Sequence, residues 1–144
     1  MRIKLAWVLG LLCAANGIYM LLAPAAWYAL IPSVQSTGPF NQHFVRDIGS
    51  AYLVAGAGLI WFALDFRARP AALAAAMFLV LHGLVHLADA AAGRESLAHV
   101  LADIPTIYLS AAAALWITWP RRFSIMMEEK PDDKMAIAAR AESV

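Results

Sequence analysis

The sequence is poor in charged residues and contains a single cysteine among 144 residues. Only 15% of the residues are charged and 62% are hydrophobic, whereas soluble domains are typically ~45–50% apolar. This composition excludes an ordinary soluble domain and predicts an integral membrane protein. The formal net charge of +1 gives no reason to expect a nucleic-acid partner.

Several chemistries are excluded because their motifs are missing. Cys13 has no second cysteine with which to form an intramolecular disulfide or a thiolate metal site. The Gly-Ala-Gly at 56–58 lacks the GxGxxG spacing of a dinucleotide site. Ser50 and Thr106 follow His/Asp pairs by about one turn, where we expect their hydroxyls to bond backbone or carboxylate. No nucleophilic serine with a histidine partner is indicated.

Four stretches are long and apolar enough to cross a bilayer, which takes ~20 residues. They cover 3–23, 41–64, 71–91 and 97–119. We therefore expect an all-α, integral membrane four-helix bundle in residues 1–120, followed by a cytoplasmic tail at 121–144. Basic residues cluster before the first stretch, between the second and third, and after the fourth. The positive-inside rule then predicts that both termini lie in the cytoplasm. The membrane we expect is a bacterial inner membrane.

Ionisable residues interrupt the third span. His82, His86 and Asp89, in the stretch HGLVHLAD, are spaced i, i+4 and i+7, so they share one helix face. Each such side chain costs a few kcal/mol at bilayer depth, and residues of this kind usually have a partner or a task.

Two HxxxD pairs lie in the first turns of two other spans. They are His43 with Asp47, and His99 with Asp103. The surrounding sequences, HFVRDIGSAYLVAGAGL at 43–59 and HVLADIPTIYLSAAAAL at 99–115, also match at a shift of 56. This internal repeat predicts two similar helix hairpins. It places Asn16 and Met20 of the first span where the third has its histidines.

Three helices then bring imidazoles and carboxylates to one side of the bundle, a set that suits copper, iron or zinc. The predicted metal ligands are His43, Asp47, His82, His86, His99 and Asp103. The side chains expected to support them are Asp89, Arg46, Asn16 and Met20. Such a metal would serve redox or hydrolytic chemistry on a membrane-soluble substrate.

Two alternatives remain open. In the first, the histidines and aspartates form a structural hydrogen-bonded network in a non-catalytic accessory or assembly subunit, whose small apolar faces meet a membrane partner or a second copy. In the second, histidines on facing helices bind a b-type haem, although the neighbouring carboxylates argue against a haem pocket.

The positions of the glycines in the first two spans are similar to those in a known family of membrane proteins. With Gly10 and Gly17 in the first span and GSAYLVAGAGL at 49–59 in the second, the chain resembles the DoxX-like small bacterial membrane proteins. This resemblance covers most of residues 3–119. It implies a compact four-helix membrane unit, sometimes accessory to a redox enzyme, and it assigns no catalytic residue.

Overall fold

The computed structural model describes residues 1–119, apart from the side chain of Pro32, and the regular elements in this part of the chain are all helices, without a strand. The helices are α1 (Arg2–Leu22), α2 (Pro24–Leu30), α3 (Pro32–Thr37), α4 (Gln42–Leu64), α5 (Arg69–Ala91), α6 (Leu97–Asp103) and α7 (Leu109–Thr118). A 3-10 turn, Phe66–Ala68, leads into α5, and a π-helical segment, Ile104–Tyr108, joins α6 to α7. The predicted tail at 121–144 lies outside the described residues.

The four long apolar helices predicted from the sequence are confirmed. Helices α1 and α4, α5 with its 3-10 turn, and the continuous run Leu97–Thr118 are each long and apolar enough to cross a membrane. Large apolar side chains cover their outer surfaces, as with Leu22, Val54 and Met77. Such extensive exposed apolar surface is foreign to a soluble protein, so these features indicate a membrane protein.

Glycines bring α1 and α4 into close contact. A Cβ at Gly17 would lie 2.5 Å from the carbonyl oxygen of Gly49, and a Cβ at Gly56 would lie 2.6 Å from the backbone nitrogen of Ala14. Only a residue without a side chain fits at such a crossing, which is a common way for helices to associate in lipid. Helix α4 also packs on α5, α5 on α7, and α7 on α1, so the long helices close into a ring.

The two ends of this ring differ in packing. We define the terminal end as the one that holds the start of α1 and the end of α7, and the loop end as the one that holds residues 23–41 and 92–96. The buried apolar core is rich in alanine and lies towards the terminal end, where Ala6, Leu59, Ala76 and Ala114 have almost no exposure. Polar residues and a cavity occupy the region nearer the loop end.

Arginines secure the terminal end. Arg2 donates to the carbonyl oxygen of Trp119 at 2.8 Å, and its guanidinium lies 5.1 Å from the ring of Trp116. Arg69 donates twice to the carbonyl oxygen of Thr118, at 2.9 and 3.1 Å. These bonds satisfy carbonyl groups that a helix C-terminus leaves without partners and place positive charge at its negative pole.

Two short helices, α2 and α3, cross the loop end. Proline starts both α2 and α3, a position where its missing N–H costs nothing. The Trp27 indole donates to Asn16 Oδ1 at 2.9 Å and thereby ties α2 to α1. The Tyr28 hydroxyl donates to the carbonyl oxygen of Gly38 at 2.6 Å, which closes the segment onto itself.

Candidate metal centre

Helix α5 supplies two imidazoles from one face. His82 and His86 are one turn apart, and their ring centroids lie 4.9 Å from each other. Only His86 reaches a carboxylate: its Nδ1 lies 2.8 Å from Asp103 Oδ2. Because an ionised carboxylate can only accept, Nδ1 donates in this bond. A metal ion bound at Nδ1 would take the place of that proton.

The chain that leads into α6 supplies the other members. Gly93, with a φ of +70°, reverses the chain after α5, in a backbone region that favours glycine. Ser96 then caps α6 by accepting from the backbone N–H of His99 at 3.2 Å. His99 and Asp103 are four residues apart in α6 and so point to the same side, and Glu95, which comes just before the N-cap, lies beside them.

Four of these residues converge. One ligand atom each from His86, Glu95, His99 and Asp103 lies within 4.8 Å of the other three. His99 Nε2 is 3.5 Å from Asp103 Oδ2 and 3.8 Å from Glu95 Oε1, and His86 Nδ1 is 3.7 Å from Glu95 Oε1. We call this set the His/acidic cluster.

The spacing of the cluster can be compared with a coordination sphere. Metal bonds of about 2.0–2.2 Å in a tetrahedron separate neighbouring ligand atoms by about 3.3–3.6 Å. The three distances between 3.5 and 3.8 Å are close to this range. The hydrogen bond of 2.8 Å between His86 and Asp103 is shorter, so these two side chains would have to separate slightly to admit an ion.

The cluster is buried, and its negative charge has few partners. Side-chain exposure is 4% for Glu95 and 5% for Asp103. Within residues 1–119, the ion pairs of these two carboxylates are formed with His86 and His99 alone. Glu95 Oε2 is buried and has no hydrogen-bond partner among the described residues. A buried acceptor without a partner lowers the stability of the fold by about 1–3 kcal/mol. A ligand that binds this oxygen would therefore be stabilising.

A π-helical segment follows the last member of the cluster. Pro105 has no backbone N–H, and in a regular α-helix its ring would collide with the carbonyl of the residue four positions earlier. The helix instead adopts the wider π geometry, in which the backbone N–H of Leu109 donates to the carbonyl oxygen of Ile104, five residues earlier. Segments of π-helix are frequent at functional sites.

His82 lies beside the cluster and is not one of its four members. Its ring stacks on Phe78, with centroids 5.9 Å apart, and meets the ring edges of Tyr52 and His86. No residue in the described part of the chain forms a hydrogen bond with its ring nitrogens. His82 therefore has a polar edge without a protein partner.

A cavity of about 610 Å³ opens next to the cluster. His82, His86 and Asp103 line it, and so do Asn16 and Met20. The amide of Asn16 is held between the Trp27 indole and Met20 Sδ, 3.6 Å away. Ser33 and Val34 of α3 form part of the cavity wall, and Ser36 Oγ is 3.4 Å from His99 Nδ1. The short helices thus cover the cluster and leave the cavity beside it.

The remaining predicted residues do not join the cluster, so the expectation that all three helices contribute ligands is not met. His43 and Asp47 pair with each other, with side chains that are 89% and 62% exposed. Arg46 is exposed on the same turns of α4. Asp89 accepts from Arg94 Nε at 2.9 Å outside the cluster.

Glu95 was missed by the sequence-based prediction. That prediction rests on histidines and aspartates, and Glu95 lies between two predicted spans, at 71–91 and 97–119. The signal was present in the spacing, since Glu95 precedes His99 by four residues, as His99 precedes Asp103. Although Glu95 precedes the first turn of α6, an ExxxHxxxD pattern at the start of a span marks it as a third candidate ligand.

The resemblance to DoxX-like proteins stays a prediction. Comparisons of the chain with protein-family models, with curated proteins and with solved structures give no significant match.

Proposed function

We propose that this protein binds one divalent transition metal ion in a bacterial inner membrane, through His86, Glu95, His99 and Asp103. The observation that carries the proposal is the convergence of the four ligand atoms within 4.8 Å at a buried position. Two carboxylates bring a formal charge of −2 when ionised, and buried charges of this kind are normally paired or coordinate a metal. A divalent ion neutralises both.

The ligand set favours zinc or ferrous iron over copper(I). Two imidazoles and two carboxylates are donors that zinc and iron accept readily, whereas copper(I) prefers thiolate and thioether sulfur. Two sulfur-bearing side chains, Cys13 and Met20, line the cavity, but neither is a member of the cluster, and Met20 Sδ already accepts from Asn16. Zinc with four protein ligands would form a closed site, while ferrous iron would keep further positions for an exogenous ligand.

The distribution of charge supports a cytoplasmic location of both termini. The terminal end carries Arg2, Lys4, Arg67 and Arg69. At the loop end, Arg94 is paired with Asp89, and Arg46 is one residue from Asp47. The excess of positive charge at the terminal end favours the cytoplasmic side for it, and the His/acidic cluster then lies in the outer half of the membrane.

The second candidate function is a structural network in an accessory or assembly subunit. It is favoured by one observation, that His86 and His99 both already lie near carboxylates. It leaves the buried Glu95 Oε2 without a hydrogen-bond partner among residues 1–119, and a metal ion would satisfy this atom. The haem alternative has less support, because carboxylate oxygens lie within 4.8 Å of both imidazole nitrogens, in the space that a porphyrin would need.

The two HxxxD pairs provide a matched test of the metal site. Element-resolved metal analysis of the detergent-purified protein should give about one equivalent of a single transition metal. His99→Ala should abolish it, and His43→Ala, at the equivalent position of the repeat, should leave it unchanged. Absence of metal from the unaltered protein after reloading with zinc and with ferrous iron would overturn the proposal. Equal losses in both variants would show that the ligand assignment is wrong.

A further inference from the structure

The cavity beside the cluster is apolar along one part of its wall and polar along another. Leu5, Leu9 and Leu12 of α1 and Ala113 of α7 line it towards the terminal end. Nearer the loop end, its wall includes Asn16, Tyr52, His82 and Asp103. Ligand sites are commonly apolar clefts of ≈ 300–1,000 Å³ with a few placed polar groups, and the volume of about 610 Å³ falls within this range.

The mouth of the cavity faces the lipid-exposed surface of the bundle. Helices α1 and α7 are joined at the terminal end through Arg2 and Trp119. Farther along, both helices line the cavity with side chains that are also exposed: Val8 is 53%, Leu12 is 63% and Leu109 is 58% exposed. A molecule dissolved in the bilayer can therefore enter between α1 and α7 without crossing water.

The polar part of the cavity favours an uncharged oxygen-bearing group. His82 has ring nitrogens without a hydrogen-bond partner among the described residues, and it faces the cavity. Asp103 also lines the wall, so an anionic group would meet a carboxylate. With a divalent ion in place, the formal charges of metal and carboxylates sum to zero, and a cationic group gains little. Burial of an unpaired charge in such a site is costly.

We propose that the cavity binds a lipid-soluble molecule with an apolar chain and an uncharged oxygen-bearing end group, an alcohol or a ketone, whose oxygen is hydrogen-bonded by His82. The chain lies between α1 and α7, and the end group lies next to the metal. This inference deepens the proposed function, because it names the ligand class of the metal site, and it rests on the proposed metal for the neutral charge of the pocket.

Photo-crosslinking of the metal-loaded protein tests the inference. The probe is a long-chain alcohol that carries a diazirine and an alkyne in its chain, and the crosslinked residues are mapped by mass spectrometry. Crosslinks should concentrate on α1 and on the segment from α6 to α7. Leu12→Trp narrows the mouth and should reduce labelling several-fold. The matched control is Leu11→Trp, which lies on the same helix, is also exposed and does not line the cavity.

The end group is tested separately. His82→Phe retains an aromatic ring beside Phe78 and removes the nitrogens, so it should abolish the preference for the alcohol over a hydrocarbon probe of equal length while the metal content stays unchanged. A fatty acid and a fatty amine of the same length should label several-fold less than the alcohol. Stronger labelling by either charged probe would overturn the assignment of an uncharged end group.

The outcomes separate this inference from the metal site. Metal content is measured on the same samples, so labelling that depends on Leu12 in a protein without metal would refute the metal site and the charge argument for the end group, and would leave the cavity as the site of the apolar chain. Metal bound in a protein whose labelling is uniform over the lipid-facing surface, or falls equally in Leu11→Trp and Leu12→Trp, would refute the ligand cavity alone.

Discussion

Asp103 joins two helices through its contact with His86, whose Nδ1 lies 2.8 Å from Asp103 Oδ2 across the boundary between α5 and α6. The same carboxylate oxygen lies 3.5 Å from His99 Nε2. Asp103 is therefore the residue around which the His/acidic cluster is arranged, and the π-helical segment begins immediately after it.

Removal of this carboxylate should destabilise the fold. In Asp103→Ala, the His86 imidazole loses its hydrogen-bond acceptor and His99 loses a neighbouring carboxylate at a buried position, which should cost about 1–3 kcal/mol. Asp47→Ala removes the corresponding carboxylate of the exposed pair on α4 and should change stability by less than about 0.5 kcal/mol. Unfolding of both metal-free variants in mixed detergent micelles measures the difference. Similar stabilities for the two variants would show that Asp103 does not hold α5 to α6.

The contrast between these two pairs shows what sequence spacing can predict. The interval of four residues puts His43 and Asp47 on one face of α4, but it does not tell which way that face points. The close contact of Gly49 with α1 fixes the rotation of the helix, with Val45 buried on the packed side. His43 and Asp47 are each two residues from Val45, about 200° around the helix, so they point away from the bundle.

Spacing and helix contacts agree for three of the predicted residues, His86, His99 and Asp103, which lie close together. His86 and His99 are on α5 and α6, which pack together, and the HxxxH and HxxxD spacings turn both towards Asp103. The four long helices follow from the length and hydropathy of each segment. The cavity could not be predicted from the sequence. Its size depends on how far α1 and α7 separate beyond their contact at Arg2, and no local sequence pattern determines that distance.

Glu95 should be required for tight metal binding, although it lies outside any helix. Glu95→Gln keeps the shape of the side chain and removes the charge, so one anionic ligand is lost and metal affinity should fall at least about tenfold. Asp89→Asn is the matched control, because Asp89 is an acidic residue near the same turn that is paired with Arg94. Competition with a chelator of known affinity measures both. Unchanged affinity in Glu95→Gln would reduce the ligand set to His86, His99 and Asp103.

The glycine contact between α1 and α4 should be sensitive to a single methyl group. The Cβ of Gly17→Ala would lie 2.5 Å from the carbonyl oxygen of Gly49 and 2.7 Å from the nitrogen of Leu53. Because backbone atoms cannot move aside, the helices must separate, at a cost of about 1–3 kcal/mol. At Gly83→Ala, the nearest contacts are side-chain atoms at 3.6 Å or more, and stability should be unchanged or rise by up to about 1 kcal/mol.

Thermal unfolding in detergent compares the two glycine variants directly. A lower midpoint for Gly17→Ala and an unchanged or higher midpoint for Gly83→Ala are expected. The opposite order would mean that α1 and α4 do not cross at Gly17 and Gly49. The crossing would then not explain why His43 and Asp47 point outwards.

The orientation can be tested because the sequence has only one cysteine, Cys13, which is buried. In a Cys13→Ala background, Ser36→Cys places a thiol on α3 at the loop end, and Arg67→Cys places one in the 3-10 turn at the terminal end, both at exposed positions. In intact cells whose outer membrane has been permeabilised, a membrane-impermeant maleimide should label Ser36→Cys and should label Arg67→Cys only after lysis. The reverse pattern would put the terminal end outside. Its excess of positive charge would then face the periplasm, against the positive-inside rule. This orientation would also move the His/acidic cluster to the cytoplasmic half of the membrane, where metal would have to reach it from the cytoplasmic pool.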